Sequence, residues 1–191
     1  MAFGLAILTG LLAQVRVPVA WSPVPITGQT FAVLLVGVLL GRRWGGISMG
    51  VYAGLGAIGV PWFNGWSGGF GMLAGPTGGY IIGFILAALF LGYVTDRYIR
   101  SRGFFAMLGL MLFANFALIH IPGLIGLQMW LSLVNGGTFN ITQLLMMGTV
   151  PFIAGDVAKV VAAAAIARAA TPKQAYNGEV DRNKWLNQRI P

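Results

Sequence analysis

Six long apolar segments, joined by short stretches rich in Gly, Pro, Trp or Arg, make up most of this chain of 191 residues. They cover approximately residues 2–15, 29–41, 46–60, 77–95, 103–133 and 141–170. Hydrophobic residues are 57% of the chain and charged residues only 8%, too few to cover the surface of a water-soluble protein. We therefore expect an all-α integral membrane protein, a bundle of six transmembrane helices.

Three of these segments have unusual lengths. The second and third contain about 13 to 15 residues, whereas a hydrocarbon core of about 30 Å needs roughly 20 at a rise of 1.5 Å per residue. They therefore require tilt, packing against other helices, or re-entrant loops. The fifth is overlong and contains Pro122 and Gly123. These residues predict a kink, or a helix that stops near His120 and restarts.

The basic residues indicate how the chain crosses the membrane. With six crossings, the turns after the second and fourth helices lie on the side of both termini, and positive charge is enriched on the cytoplasmic side. Residues on that side are Arg42, Arg43, Arg97, Arg100, Arg102, Arg168, Lys173, Arg182, Lys184 and Arg189, whereas Arg16 falls opposite. We predict a multi-pass protein of the cell (cytoplasmic) membrane with both termini cytoplasmic and the loops at 16–28, 61–76 and 134–140 facing outward.

One transmembrane domain, residues 1–170, accounts for most of the chain, because no linker divides its apolar part. Residues 171–191 turn polar and predict a cytoplasmic tail with a short surface helix from Glu179 to Gln188. No basic residue precedes the first segment, so we expect a retained helix rather than a signal peptide. Recurrent small residues predict close helix packing. They are Ala2, Ala6, Gly10, Gly46, Gly50, Gly54, Gly79 and Gly83.

Several functions are disfavoured by the composition. The net charge of +8 comes from clusters between apolar segments, without the interleaved aromatic residues of an RNA-binding face, so nucleic acid is not an expected partner. The chain has no cysteine, which excludes disulfides, thiolate metal sites and cysteine catalysis. There is no Walker motif, GxSxG elbow, HExxH helix or cluster of acids. We expect no enzymatic activity, no ATPase within the chain, and no cofactor or metal.

An acid and a base stand three residues apart in the sixth segment, Asp156 and Lys159 of the sequence AGDVAKVV. The residues before Asp156 are mostly apolar, so the pair is expected near the middle of the helix. Each charge costs about 2.5–3.5 kcal/mol at a helix centre, which disfavours exposure to lipid. The two side chains share a helical face, where they can neutralise each other or offer a ligand an acceptor and a donor. The alternative is a salt bridge that only locks helices together.

The sequence GPTGGY begins the fourth segment on the predicted outward side. Pro76 suits the first turn of a helix, Thr77 can cap it, and Gly78 and Gly79 leave its first N–H groups uncovered. Such a terminus suits a carbonyl or carboxylate, although ordinary capping explains the composition equally well. Tyr80 is either an anchor at the membrane interface or one wall of a pocket.

Other polar residues have simpler interpretations. Thr27, Gln29 and Thr30 follow a proline-stiffened loop, and capping of the second helix explains most of them. His120 and Asn115 have no acidic neighbour in the sequence, so we expect polar groups satisfied by hydrogen bonds rather than metal ligands or a proton relay.

Four stretches together resemble the BioY family: VPITGQTFAVLLVGVLLG, YAGLGAIGVPWF, GGFGMLAGPTGGYIIGF and GDVAKVV, within about residues 20–165. That family comprises the substrate-binding S components of energy-coupling factor (ECF) biotin transporters. The resemblance implies a six-helix bundle of the ECF S-component type that captures biotin from outside. It implies a transmembrane T component and two ATP-binding-cassette ATPases as partners, although some members occur without them. Membrane lipid and further copies of the chain complete the expected partners.

The resemblance also implies which residues bind the ligand. Its motifs map onto Asp156, Lys159, Thr77, Gly78, Gly79 and Tyr80. Biotin joins a polar ureido ring, an apolar thiophane and an aliphatic chain ending in a carboxylate. Asp156 can accept the ureido N–H groups and Lys159 can orient Asp156 or pair with the ligand. Aromatic residues that can cover the apolar body are Trp66, Phe70 and Tyr80. Gln29 completes the predicted site, although Gly28 stands where many relatives carry Leu.

Two other functions remain as alternatives. In a proton-coupled secondary carrier of a small polar molecule, Asp156 would titrate during transport. In a purely structural membrane subunit, Asp156 and Lys159 would only lock the sixth helix to its neighbours.

Overall fold

The computed structural model describes residues 1–137 and 139–172, and most of these are helical. The α-helices of this part are α1 (Ala2–Gln14), α2 (Gln29–Ala57), α3 (Phe70–Leu73), α4 (Gly78–Arg97), α5 (Phe104–Phe113), α6 (His120–Asn135), α7 (Ile141–Gly148) and α8 (Ile153–Ala170). Two short strands, β1 (Arg16–Val17) and β2 (Ile26–Thr27), pair antiparallel. The predicted tail helix from Glu179 to Gln188 lies outside the described residues.

Four helical stretches in the described residues are long and apolar enough to cross a membrane: Gln29–Ala57, Gly78–Arg97, Phe104–Val134 and Ile141–Ala170. The apolar helix α1 is shorter, with 13 residues. A mostly helical, multi-pass membrane protein is therefore confirmed. The predicted division between the second and third segments falls inside α2, where the backbone is non-helical at Gly41.

A break at Gly41 divides α2 internally. Gly41 has φ 73° and ψ 179°, a conformation that favours glycine. The backbone N–H of Arg42, which has lost its place in the regular helical ladder, donates to Asp96 Oδ2 at 2.8 Å. A Cβ at position 41 would lie 2.6 Å from both carboxylate oxygens of Asp96. A side chain of α4 thus replaces a backbone acceptor at the break. A Cβ on Gly45 would lie 3.2 Å from Gly37 Cα, so the two halves of α2 pack against each other.

The fifth segment is interrupted close to the predicted point, but the chain remains helical throughout. Residues Ala114–Ile119 form a π-helical turn between α5 and α6. Pro122 lacks an N–H group, and its ring would clash with the carbonyl of residue 118 in a regular helix. A wider turn accommodates such a proline, and π turns change the angular positions of the residues they contain.

The sixth segment is interrupted as well. α7 ends at Gly148, and a 3₁₀ turn, Val150–Phe152, precedes α8. Asp156 therefore lies in the first turn of α8 and not near the middle of a continuous helix. The prediction of its position was wrong because Pro151 favours a new helix start.

The bundle is organised around α2 and α4. α1 packs on α2, α6 and the π turn pack on α4, and α8 packs on α2 and α5. Gly79 and Gly83 lie against the carbonyls of Pro122 and residue 118, so their predicted packing role is confirmed. Gly50 and Gly54 have no neighbouring atom of the described residues within 4 Å of a built Cβ, so that prediction was wrong for these two.

Candidate functional site

A cavity of about 40 Å³ lies beneath two of the loops predicted to face outward. Loop residues Val24, Pro25, Phe63 and Asn64 line one side of it. Thr27 of β2, Thr77 before α4 and helical residues form the remaining walls, and the apolar ones are Ile81, Phe84 and Phe152. The polar helical ones come from α2, α4, α6 and α8 and are described below.

Asp156 is the centre of the polar wall and is only 2% exposed. Its position in the first turn of α8 favours a negative charge, since the helix dipole is positive there. Lys159 Nζ lies 2.5 Å from Oδ1. Oδ2 accepts from Asn115 Nδ2 at 2.8 Å and from His120 Nε2 at 2.9 Å. The Thr30 hydroxyl is 3.5 Å from Oδ1, so the remaining acceptor capacity is greater on that oxygen.

Lys159 forms the predicted pair with Asp156 and has two further acceptors. Its ammonium donates to the Thr30 hydroxyl at 2.7 Å and to the backbone carbonyl of Thr27 at 2.9 Å. All three N–H groups of the ammonium are therefore used. Because Thr27 ends β2, Lys159 also ties the loop that carries Val24 and Pro25 to α8.

Two residues in contact with Asp156 were missed by the sequence analysis. The predicted hydrogen bonds are present for His120 and for Asn115 Nδ2, and both side chains contact the carboxylate of Asp156. Asn115 Oδ1, however, has no partner among the described residues. The π turn places these residues, five apart, beside the same oxygen. His120 Nδ1 also lies 3.2 Å from the Gly148 carbonyl and 3.3 Å from the Thr149 hydroxyl. Both ring nitrogens therefore have polar partners. The sequence offered one indication of their role: two polar residues, Asn115 and His120, stand before Pro122 in an otherwise apolar segment.

The GPTGGY motif contributes two residues to the cavity. Thr77 lines it and is 9% exposed, and its buried hydroxyl has no hydrogen-bond partner among the described residues. The predicted cap was therefore wrong, since Thr77 makes no side-chain cap of α4. Tyr80 lines the cavity, and its hydroxyl donates to the Gly148 carbonyl at 2.7 Å.

Gly78 and Gly79 do not line the cavity, although they were predicted to bind the ligand. A Cβ on Gly78 would collide with the carbonyl of Leu73, and one on Gly79 with the carbonyl of Pro122. Both glycines therefore permit close packing of α4 against its neighbours, and the predicted cluster of backbone donors is not part of the cavity wall.

Gln29 lines the cavity as predicted and is 6% exposed. Its Oε1 accepts from the Thr27 hydroxyl at 2.8 Å, and its Nε2 donates to the Tyr52 hydroxyl at 2.6 Å. These two bonds fix the carboxamide and leave one N–H group and one acceptor site for another partner.

Trp66 and Phe70 do not line the cavity, and their predicted contact with the bound ligand stays a prediction. Their side chains are 65% and 73% exposed. Trp66 has a positive φ of 57°, which belongs to a tight turn, and Phe70 begins the short surface helix α3. The apolar lining is supplied by Phe63, Phe84 and Phe152 instead.

The site is equipped for hydrogen bonding. Within residues 1–137 and 139–172, no three His, Asp or Glu side chains gather as they would around a metal ion. The cavity instead combines a paired carboxylate, a free hydroxyl and a carboxamide with aromatic walls, an arrangement that suits a small ligand with a polar head and an apolar body.

Comparison with known proteins agrees with this geometry. The sequence matches the BioY family over residues 1–175. It is 53% identical over 155 residues to the "Probable biotin transporter BioY" of Methanothermobacter thermautotrophicus, covering 81% of this chain and 99% of that protein. It is 34% identical to the "Biotin transporter BioY" of Thermotoga maritima, covering 84% and 92%.

A solved structure is also similar. The "S-component for biotin from an ECF-type ABC transporter" superimposes with a TM-score of 0.77 at 26% sequence identity. The similarity covers 88% of this chain and 87% of that one.

Proposed function

Because the chain belongs to the BioY family, we propose that it takes up biotin as the high-affinity substrate-binding S component of an ATP-driven ECF transporter. Biotin binds in the cavity beside Asp156. The observation that carries this assignment is a carboxylate, 2% exposed, that lines a cavity while side chains from several elements donate to it. Intramembrane charges are costly, and such a cluster is typical of a ligand pathway.

The groups of biotin match the groups of the cavity. The ureido N–H groups donate to Asp156, whose Oδ1 has the greater remaining capacity. The hydroxyl of Thr77 and the second amide proton of Gln29 donate to ligand oxygens. The thiophane ring lies among Phe84 and Phe152. A molecule without the ureido ring would leave buried protein groups unpaired, which is the basis for strong selectivity.

Entry of biotin requires the cavity to widen. The cavity measures about 40 Å³, whereas pockets for ligands of this kind measure about 300 Å³ or more. Lining residues on loops can move more readily than those on packed helices. The loops carrying Val24 and Pro25 and carrying Phe63 and Asn64 therefore open outward to admit the ligand and close over it.

The membrane arrangement follows from the same assignment. The six crossings are α1, the two halves of α2, α4, α5 with α6, and α7 with α8. Both termini are cytoplasmic, in line with the basic residues at the break in α2 and at the ends of α4 and α8. A T component and ABC-type ATPases drive release, because the chain itself carries no ATPase motif. Lipid surrounds the bundle, and the chain assembles with further copies of itself.

Biotin binding to the purified chain tests the proposal. We expect saturable binding of one biotin per chain, and lipoic acid, which has an acyl chain but no ureido ring, to bind at least about 100-fold more weakly. Lys159→Ala should weaken biotin binding by about tenfold or more, because Asp156 loses its charge partner. Equal affinities for the two ligands would reject the assignment of Asp156 to the ureido ring.

One contact favours a second candidate, a proton-coupled carrier. His120 Nε2 lies 2.9 Å from the Asp156 carboxylate, and its other ring nitrogen contacts the Thr149 hydroxyl at 3.3 Å. These contacts could carry a proton. Uptake into vesicles without any ATPase partner distinguishes the candidates. Accumulation that depends on a proton gradient would support the carrier, whereas the S-component proposal predicts no accumulation under those conditions.

A further inference from the structure

Gln14 lies outside the cavity but holds two residues that line it. The loop of residues 62–67 carries Phe63 and Asn64, both in the cavity wall. The side chain of Gln14, the last residue of α1, contacts both arms of this loop. Its Nε2 donates to the Phe63 carbonyl at 2.9 Å, and its Oε1 accepts from the backbone N–H of Trp66 at 2.9 Å. The same amide nitrogen donates to Gly10 within α1 at 3.0 Å.

The 62–67 loop has a conformation that needs such support. Gly65 and Trp66 have φ values of 72° and 57°, and the second is unfavourable for a residue with a side chain. The indole of Trp66 is 65% exposed, so its burial does not offset this cost. Hydrogen bonds hold the turn instead, from Phe63 N to Ser67 O at 2.9 Å and from Trp66 N to Gln14. Strained backbone of this kind is found where the surroundings determine a functional geometry.

The loop is attached to α2 on its other side. The Trp62 indole donates to the Tyr52 carbonyl at 3.0 Å, and the Phe63 ring meets the Tyr52 ring edge-on at 5.3 Å. The Tyr52 hydroxyl in turn accepts from Gln29 in the cavity wall. The 62–67 loop therefore spans α1 and α2, and its contact with α1 includes the polar clamp of Gln14.

We propose that Gln14 is a positioning residue that fixes the 62–67 loop against α1 and thereby sets the rates at which ligand enters and leaves the cavity. This rests on the proposed function in taking biotin as the ligand. The loop must move to admit a molecule larger than the cavity, and its hydrogen bonds to Gln14 break in that step. The clamp does not touch the ligand, so it stabilises the closed loop equally with and without biotin. It therefore slows entry and exit together and changes affinity little.

The test compares association and dissociation rates of radiolabelled biotin on the full chain in detergent. Gln14→Met keeps the size of the side chain and removes all its hydrogen bonds. We expect both rate constants to rise by about tenfold and the Kd to change by less than about threefold. Gln128→Met is the matched control, because Gln128 lies on α6 outside the cavity and donates to Ser132 within the same helix. Its rates should stay within about twofold of the wild type.

A merely structural role predicts a different result. Loss of Gln14 would then lower the yield of folded protein, or weaken the Kd, with no rise in the association rate, and either outcome overturns the proposal. Gln14→Glu provides a second variant, since it keeps the acceptor for Trp66 N–H and removes the donor to Phe63. Its rates should lie between those of the wild type and Gln14→Met.

Hydrogen exchange separates this proposal from the biotin assignment. Without any ligand, amides of the 62–67 loop should exchange about tenfold faster in Gln14→Met than in the wild type or in Gln128→Met. Equal exchange would overturn the role of Gln14 even if biotin binds. Absence of saturable biotin binding to the wild-type chain would refute the proposed function, and the exchange data would then decide the role of Gln14 alone.

Discussion

Asp96 and Asp156 are the two carboxylate side chains within residues 1–137 and 139–172, and their surroundings differ in every respect. Asp96 is exposed and accepts the backbone N–H of Arg42 at the break in α2. Asp156 is buried and accepts from the side chains of Lys159, His120 and Asn115 beside a cavity. One carboxylate completes a helix, and the other completes a polar site.

The difference indicates how a carboxylate in a membrane bundle can be assigned a role. A backbone N–H at a break in a helix needs an acceptor whatever the function of the protein, so the fold alone explains the position of Asp96. The donors around Asp156 are side chains that apolar residues of similar size could replace, often without loss of stability. We propose that a ligand accounts for their presence beside a cavity.

Exchanging each aspartate for asparagine should give the largest contrast. Asp156→Asn places an amide among donors and leaves Lys159 without its charge partner, so biotin affinity should fall by about 100-fold. Asp96→Asn keeps an acceptor oxygen at the break and should change the affinity by less than about twofold. Titration calorimetry on the two purified variants measures both changes in biotin affinity. Similar losses in the two would erase the distinction between the two carboxylates.

Gly41→Ala should affect stability and leave binding alone. The positive φ at this position and the proximity of Asp96 to a new Cβ predict a loss of about 2 kcal/mol in the free energy of unfolding. Gly109→Ala on α5 is the control, because a built Cβ there meets no described atom within 4 Å and alanine favours a helix. Thermal unfolding in detergent reports both, and a stable Gly41→Ala protein would show that the break is not required.

Two buried threonines allow a subtler comparison. Thr77 and Thr95 both have hydroxyls without a partner among the described residues, but only Thr77 of these two lines the cavity. Thr77→Val should weaken biotin binding by about fivefold, since a ligand hydrogen bond is lost. Thr95→Val should leave the affinity unchanged. Equal affinities of both variants and the wild type would remove Thr77 from the site.

The smallest effect is expected at Phe70, an exposed aromatic residue that does not line the cavity. Phe70→Leu should change biotin affinity by less than about twofold, because its ring lies outside the cavity. Phe84→Leu, in the cavity wall, should weaken it by about threefold through lost contact with the apolar ring. A stronger effect at Phe70 would indicate that α3 closes over the bound ligand.

The sequence predicted those cavity residues that stand out within their own segment. Asp156 and Lys159 stand out as charges in an apolar segment, and Thr77, Tyr80 and Gln29 line the cavity as expected. Gly78 and Gly79 do not line the cavity, because a glycine at a helix start serves helix packing as readily as ligand approach.

The remaining features depend on contacts between distant parts of the chain. Asn115 and His120 are 41 and 36 residues from Asp156, and a π turn sets their direction. Trp66 turns outward because of its positive φ, which side-chain chemistry does not reveal. The break at Gly41 likewise depends on Asp96, whose carboxylate accepts from the backbone N–H of Arg42, 54 residues away.

The structure of the chain with biotin bound is the most direct test of the central claim, that Asp156 holds the ligand. We predict a ureido nitrogen within about 3 Å of the Asp156 carboxylate, with the 62–67 loop closed over the ring. Biotin located elsewhere, with the contacts of Asp156 to Lys159, His120 and Asn115 unchanged, would show that Asp156 does not bind the ligand.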